Sequence, residues 1–209
     1  MGLSKGEQTR HDTATLPAWL LPGALLLVAA LLVATGDTGR EWLRFERGMI
    51  ASGEIWRLVT GHFVHLGLTH FLLNGAGLVL VWFLVGREFT CLEWLAIVAA
   101  SIAAIDVGLW LFSPKLEWYV GLSGMLHGML AAGILASWRV RRAEASILGI
   151  VIAGKLAYEQ LVGPMPGSEG TSGGAVIVDA HLYGVIGGII LAAILIRVRR
   201  TASISEVYK

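Results

Sequence analysis

Two residues with the chemistry of a nucleophile and a base lie inside otherwise apolar stretches of the sequence. Ser123 belongs to GLSGMLHG, and His181 belongs to VDAHLYGVIGG. A serine hydroxyl attacks a carbonyl carbon efficiently when an imidazole removes its proton. The motif G-x-S-x-G of soluble serine hydrolases is absent here, because Met125 stands two residues after Ser123. A serine–histidine pair in this chain would therefore have to be assembled by helices.

Small residues mark the same two stretches. Gly124 and Gly128 follow the serine at the spacing G-x-x-x-G, and Gly184 and Gly188 follow the histidine at the same spacing. Glycines four residues apart lie on one helix face and allow the backbones of two membrane helices to approach closely. We predict that the two glycine faces pack together and bring the serine and the histidine within reach of each other.

Further polar residues occur in GHFVHLGLTHFLLNGAG, where His70 and Asn74 are about one helical turn apart and share a face. They predict a cluster of hydrogen-bond donors. His62 and His65 precede Gly67, which interrupts the register, and we expect these two to bond backbone carbonyls. Three histidines are also compatible with zinc. No cysteine or carboxylate lies nearby in sequence and H-E-x-x-H does not occur, so neither a metal nor another cofactor is expected.

Ionisable residues within apolar segments are costly and are candidates for function. Lys155 and Glu159 are spaced i, i+4. They are compatible with an intrahelical ion pair that lowers the cost of burying both charges. They are equally compatible with a contact between one of them and the polar end of a substrate. Asp106 is an alternative partner for Lys155, and the sequence leaves these possibilities open.

The composition indicates an α-helical integral membrane protein. Of the 209 residues, 56% are hydrophobic and 15% are charged. The formal net charge of +1 provides no basic field for nucleic acid, and the single Cys91 cannot form an internal disulfide. A helix needs about 20 mostly apolar residues to cross a bilayer. Six stretches meet or approach this length, near residues 16–34, 69–85, 91–112, 121–138, 146–162 and 180–198.

The expected fold is thus an all-α membrane protein with a six-helix bundle at 16–198, between an N-terminal tail at 1–15 and a C-terminal tail at 199–209. Arginines after the fourth and sixth spans predict that both tails are cytoplasmic. Four arginines in the first loop argue against this orientation, although long structured loops obey the rule weakly. In this orientation Ser123 and His181 both lie at the outer ends of their helices, at one depth. The loop 163–176, rich in Gly, Pro and Ser, is either a mobile cap over them or a plain connector.

Taken together, these motifs resemble the rhomboid family of intramembrane serine proteases from about Trp56 to Gly188. The resemblance rests on the pair Trp56–Arg57 in the first loop, on H-x-x-x-x-H-x-x-x-N from His65 to Asn74, on GLSG, and on AHLYGVIGG. Each motif is weak alone, and their order on these predicted spans makes the match specific.

The resemblance implies that Ser123 is the nucleophile and His181 the general base, with no third member needed. Asp179, expected in the loop before His181, receives no role. The family also implies an oxyanion site made of His70, Asn74 and the backbone N–H of Ser123, supported by Gly121 two residues before the serine. It further implies a water-filled cavity that opens to the outer side.

His127 departs from the common pattern, since many rhomboids carry a tyrosine at this position that packs on the catalytic imidazole. G-x-S-G-x-x-H-G resembles the rhombosortase branch, as do the compact length and KLAYEQ in the fifth span. We expect His127 either to stack on or hydrogen-bond to His181 and tune its basicity, or to satisfy a buried carbonyl. The branch implies bacterial substrates that end in a Gly-Gly signal, a membrane helix and basic residues.

The sequence therefore predicts a rhombosortase-like serine endopeptidase of the bacterial inner membrane, with its site toward the periplasm. The alternatives are a rhomboid protease with other single-span substrates, an inactive rhomboid-like binding protein, and a small transporter that uses Asp106, Lys155 and Glu159.

Overall fold

The computed structural model describes residues 19–207 of the chain, with side chains up to residue 202, and this part is mostly helical. The helices are, in chain order, α1 (Leu20–Val33), α2 (Gly36–Leu43), α3 (Arg47–Ala51), α4 (Arg57–Thr60), α5 (Leu68–Val85), α6 (Cys91–Phe112), α7 (Ser123–Ser137), α8 (Arg142–Leu161), α9 (Ser168–Ser172) and α10 (Val178–Val207). The described residues also form two short strands, β1 (Phe45–Glu46) and β2 (Trp118–Tyr119).

Within residues 19–207, three helices are long and apolar enough to cross a membrane, namely α5, α6 and α10. Helices α1 and α2 together would make a fourth candidate, but they are bent by 114° relative to each other. Helix α7 has only 15 residues. Helix α8 carries four charged side chains, namely one arginine, one lysine and two glutamates. Length and composition thus support three or four spans, and the six-span count stays a prediction. The tail at 1–15 and the predicted start of the first span lie outside the described residues.

Helix α7 occupies the centre of the helical bundle. It packs against α5, α6, α8 and α10. Met125, Met129 and Ala132 on this helix are fully buried. A helix that is surrounded by others has no need of a polar face, which explains why its sequence is apolar all round.

The two glycine faces meet as the sequence predicts. A Cβ atom on Gly184 would collide with the backbone carbonyl of Gly124, and a Cβ atom on Gly188 would collide with that of Gly128. On the other side of the contact, a Cβ atom on Gly124 would lie 2.8 Å from the carbonyl oxygen of Ala180. Only glycine allows α7 and α10 to approach this closely, so the predicted packing is confirmed.

The segment between α1 and α5 is tied to the chain just before α7. Strands β1 and β2 pair antiparallel, with Phe45 opposite Tyr119. Arg57 is buried and donates hydrogen bonds to the carbonyl oxygens of Glu41, at 2.8 Å, and Arg44, at 3.0 Å. This network holds the first loop against the backbone that leads into Ser123.

Candidate active site

The side chains of Ser123 and His181 are in direct contact. Ser123 is the first residue of α7, and His181 lies in the first turn of α10. The Oγ atom of Ser123 is 3.0 Å from the Nε2 atom of His181. The glycine contact between the two helices begins immediately beside this pair. The close approach of the two backbones therefore sets the distance between the hydroxyl and the imidazole.

The backbone before Ser123 takes a conformation that requires glycine. Gly121 has φ +117°, which L side chains rarely adopt. A Cβ atom there would also lie 2.9 Å from the Cε1 atom and 3.0 Å from the Nε2 atom of His70. The Tyr119 hydroxyl donates a 2.7 Å hydrogen bond to the carbonyl oxygen of Gly121. Burial raises the pKa of Tyr119, and the nearby Asp106 carboxyl raises it further, so this hydroxyl stays protonated as a donor.

The side chains of His70 and Asn74 lie on the same side of α5 and line a cavity with Ser123. The backbone N–H of Leu66 points at the Nδ1 atom of His70 over 3.4 Å, which makes Nδ1 the acceptor. The proton of the neutral ring is then on Nε2, the atom next to Gly121. Asn74 donates one N–H to the carbonyl oxygen of His70 at 3.1 Å, which orients its amide. Two side-chain donors are thus brought close to the serine.

Glu159 supplies a third group, which the sequence interpretation did not assign to the pair. Its Oε2 atom is 2.9 Å from the Nδ1 atom of His181. Its Oε1 atom accepts a 2.5 Å hydrogen bond from Lys155, so the i, i+4 ion pair is also present. The Lys155 ammonium lies 3.4 Å from the same Nδ1 atom. A glutamate in an apolar segment was the available signal, but its partner depended on how α8 packs.

His127 makes both contacts that were considered for it. Its ring stacks on the ring of His181, with centroids 4.1 Å apart and planes 14° apart. Its Nδ1 atom is 2.7 Å from the backbone carbonyl oxygen of Ser123. Because a carbonyl only accepts, Nδ1 carries the proton. His127 thus connects the backbone of the serine to the face of the histidine.

Other candidate residues lie outside this cluster. The Nε2 atom of His62 is 3.0 Å from the Oδ1 atom of Asp106, so Asp106 pairs with His62 and not with Lys155. The expectation that His62 would bond a backbone carbonyl is wrong, because its Nδ1 atom has no hydrogen-bond partner among the described residues. Asp179 is in the first turn of α10 rather than in the preceding loop, and it accepts a hydrogen bond from the Ser113 hydroxyl at 2.7 Å.

His65 is buried, and neither of its ring nitrogens has a hydrogen-bond partner among the described residues. No hydrogen bond of normal geometry to a backbone carbonyl is therefore formed, and a weak interaction with the Phe63 backbone only slightly raises the pKa of His65. Its ring packs edge-on against those of His70 and Phe71, with centroids 5.0 and 5.7 Å away. Burial, and to a smaller extent the adjacent His70, lowers the pKa of His65 to about 3. The residue is thus an uncharged packing partner of the donor His70.

The cavity beside Ser123 has a volume of about 220 Å³. The loop 163–176 forms one of its walls, through α9 and the residues around it, including Met165, Ser168, Ser172 and Val176. Helix α9 also packs against α5. The loop is therefore more than a distant connector, because it borders the space in which a substrate carbonyl would have to lie.

His127, Glu159 and His181 offer three possible metal ligands within 4.8 Å of one another. The lone pairs of imidazole nitrogens lie in the ring plane, and the two rings are nearly parallel. Their lone pairs therefore run side by side. Tetrahedral zinc requires lone pairs that converge on one point, so the two rings do not fit it. The cluster fits a hydrogen-bonded proton-transfer network better than a metal site.

The arrangement of these residues suits acyl transfer, since a candidate nucleophile, a candidate base and candidate oxyanion donors surround one cavity. The Rhomboid domain family model matches residues 52–198, which include all of these side chains. The chain belongs to the rhomboid family. Together with the apolar helices, this membership makes it an integral membrane protein.

Two curated rhomboid proteases are equally identical in sequence to this chain. Rhomboid protease GluP from Bacillus subtilis (strain 168) is 27% identical over 179 residues, which cover 82% of this chain and 33% of GluP. Rhomboid protease GlpG from Salmonella newport (strain SL254) is 27% identical over 186 residues, which cover 88% of this chain and 64% of GlpG. This rhomboid chain thus matches about a third of the length of one relative and just under two thirds of the other.

Proposed function

We propose that the protein is an intramembrane serine endopeptidase in which Ser123 is the nucleophile and His181 the general base. The observation that carries this proposal is the 3.0 Å contact between the Ser123 hydroxyl and the Nε2 atom of His181 beside a cavity. The protease names of the matched relatives support the same reaction.

In the proposed reaction His181 Nε2 takes the proton of Ser123 as Oγ attacks the substrate carbonyl carbon. The negative charge moves to the carbonyl oxygen. We assign its stabilisation to the Nε2–H of His70, the amide of Asn74 and the backbone N–H of Ser123. Each such donor is worth about 3 to 4 kcal/mol in the transition state of well-studied serine hydrolases. Collapse of the intermediate breaks the C–N bond, and His181 returns the proton to the leaving amine. Water then releases the acyl group by the same steps.

We further propose that the six predicted segments all span the bacterial inner membrane, with both tails cytoplasmic and the cavity open to the periplasm. Ser123 and His181 lie at the starts of α7 and α10, so the site is at one end of the bundle. Arg197, Arg199 and Arg200 lie toward the other end of α10, and Arg139 and Arg141 follow α7. This separation of charge from the site supports cytoplasmic tails.

For the substrate we propose the Gly-Gly sorting signals of exported proteins, followed by a membrane helix. One observation supports this choice over other single-span substrates, namely that G-x-S-G-x-x-H-G resembles the rhombosortase branch.

A fluorophosphonate probe and a defined substrate test the proposal. We expect the purified chain in detergent to be labelled at Ser123, and the variants Ser123→Ala and His181→Ala to lose labelling and cleavage while they still accumulate in the membrane. Mass analysis of the C-terminus of a Gly-Gly-tailed protein should show cleavage near the Gly-Gly motif. Labelling without that cleavage, but with cleavage of other single-span proteins, would favour the general rhomboid alternative. An unlabelled Ser123 would refute the peptidase proposal and favour a binding protein.

A further inference from the structure

The buried carboxylate of Glu159 occupies the position of a third member behind the Ser123–His181 pair. Only 2% of its side chain is exposed, and its Oε2 atom is 2.9 Å from the Nδ1 atom of His181. We propose that Glu159 is a positioning residue that completes a Ser123–His181–Glu159 triad. This inference rests on the proposed peptidase function and adds a residue to its machinery.

The first task of Glu159 is to fix the tautomer of His181. A carboxylate accepts only, so the Nδ1 atom of His181 must carry the proton. Nε2 is then unprotonated and faces the Ser123 hydroxyl at 3.0 Å. The other tautomer would direct an N–H at the hydroxyl and could not remove its proton. The hydrogen bond to Glu159 also restrains rotation of the ring.

The second task is electrostatic. When His181 takes the proton of Ser123 it becomes a cation, and a carboxylate in hydrogen-bond contact stabilises that cation. The ionisable groups that face His181 are Lys155 and Glu159 from α8, His127 from α7 and, at longer range, His70 from α5. Within the described part of the chain, Glu159 is the only one of these four that can be anionic.

The negative charge of Glu159 is needed to offset the positive charge of Lys155 beside His181. Its ammonium lies 2.5 Å from the Oε1 atom of Glu159 and 3.4 Å from the Nδ1 atom of His181. The ion pair holds the carboxylate in its orientation and keeps it ionised. If the residue at 159 were neutral, the lysine cation would instead oppose the developing imidazolium cation. A neutral substitution should therefore lower the rate by more than the loss of one hydrogen bond.

The test compares Glu159→Gln with Glu144→Gln in the purified full-length chain. Both changes neutralise a glutamate of α8, but Glu144 is far more exposed and pairs with Arg141. We measure the rate of fluorophosphonate labelling, and kcat and KM for a fluorogenic transmembrane peptide that contains Gly-Gly. We expect Glu159→Gln to lower kcat by about 10²-fold or more, as for neutralised triad carboxylates elsewhere, with KM nearly unchanged. Glu144→Gln should behave as the wild type.

A second variant separates positioning from a structural role. Adding Lys155→Met to Glu159→Gln removes the unopposed cation, and we expect it to restore part of the lost kcat. A purely structural role predicts the opposite, because the double variant loses one more buried contact. If Glu159→Gln does not fold, Glu159→Ala replaces it, since it also removes the carboxylate, and we expect a lower kcat at similar KM.

The outcomes distinguish the two proposals. If the wild type is labelled and cleaves the peptide while Glu159→Gln keeps its full kcat, the triad is refuted and the peptidase proposal stands. A full kcat in Glu159→Ala has the same meaning when that variant is used, and so does a double variant slower than Glu159→Gln. If the wild type is neither labelled nor active, both proposals fail.

Discussion

The imidazole ring of His127 lies flat on the imidazole ring of His181, with centroids 4.1 Å apart and planes 14° apart. The same ring bonds the backbone carbonyl of Ser123 through Nδ1. One side chain thus contacts the two residues that we propose as base and nucleophile, and it does so from the helix that carries the nucleophile.

The stacked ring leads to a prediction about His127. Replacement by alanine removes the stacking surface and leaves His181 freer to rotate, while replacement by tyrosine keeps an aromatic face. Aromatic pairs contribute about 0.5–1.5 kcal/mol, so we expect His127→Ala to lower kcat/KM by up to about tenfold. His127→Tyr should retain most of the activity. Equal losses in the two variants, measured as kcat/KM on the same peptide, would show that the stacking surface is unimportant.

The donors around Gly121 lead to a second prediction. If His70 and Asn74 stabilise the oxyanion, His70→Ala and Asn74→Ala should each lower kcat by about 10²- to 10³-fold with little change in KM. The reason is that the substrate carbonyl oxygen becomes negatively charged only as the bond to Ser123 forms, so its ground-state binding is little affected. Leu73 lies between them on α5 and also lines the cavity, so Leu73→Ala is the matched control. A loss confined to KM in the His70 and Asn74 variants would assign them to substrate binding.

The glycine contact between α7 and α10 leads to a third prediction. A methyl group on Gly184 would collide with the carbonyl of Gly124, and neither backbone can move without separating the helices. We expect Gly184→Ala to destabilise the fold by about 1–3 kcal/mol and to reduce labelling of Ser123. Gly23→Ala on α1 is the control, because nothing lies within 4 Å of its Cβ position. Thermal unfolding in detergent measures the first effect, and an unshifted midpoint for Gly184→Ala would contradict it.

The buried His65 leads to a prediction about pH. Its pKa of about 3 in the folded chain is below the value of 6.5 expected when unfolded. The unfolded chain therefore binds more protons between these values, and stability must fall as the pH drops below 6.5. From pH 6.5 to 5 the loss amounts to about 1.6 kcal/mol. His65→Phe should weaken this pH dependence, with its packing cost measured at pH 8. Parallel pH profiles of the unfolding midpoint would refute the prediction.

The location of the site could be predicted because its residues carry local signals. Ser123 and His181 each stand beside a G-x-x-x-G pattern in an apolar stretch. Glycine spacing depends only on helical periodicity, and it correctly predicts which faces meet. His70 and Asn74 were found in the same way, from their i, i+4 spacing.

Charge partners on different helices could not be predicted, since they depend on how the helices rotate and pack. Asp106 was equally plausible as a partner of Lys155, yet it bonds His62 at 3.0 Å. Asp179 was expected in a loop, yet it lies in the first turn of α10 and accepts a hydrogen bond from Ser113. A carboxylate accepts from any donor within about 3 Å, and sequence spacing does not specify which helix provides that donor.

Glu159 shows most clearly what the sequence determines and what only the tertiary structure decides. The sequence by itself determined that a glutamate and a lysine share one face of an apolar helix, because i, i+4 residues are neighbours on any α-helix. Only the tertiary structure decided that this face turns toward α10, where the carboxylate reaches the Nδ1 atom of His181. The physical reason is that the spacing of residues within a helix is a local property of the backbone. The rotation of α8 about its own axis is set by packing against α7 and α10, which lie elsewhere in the chain.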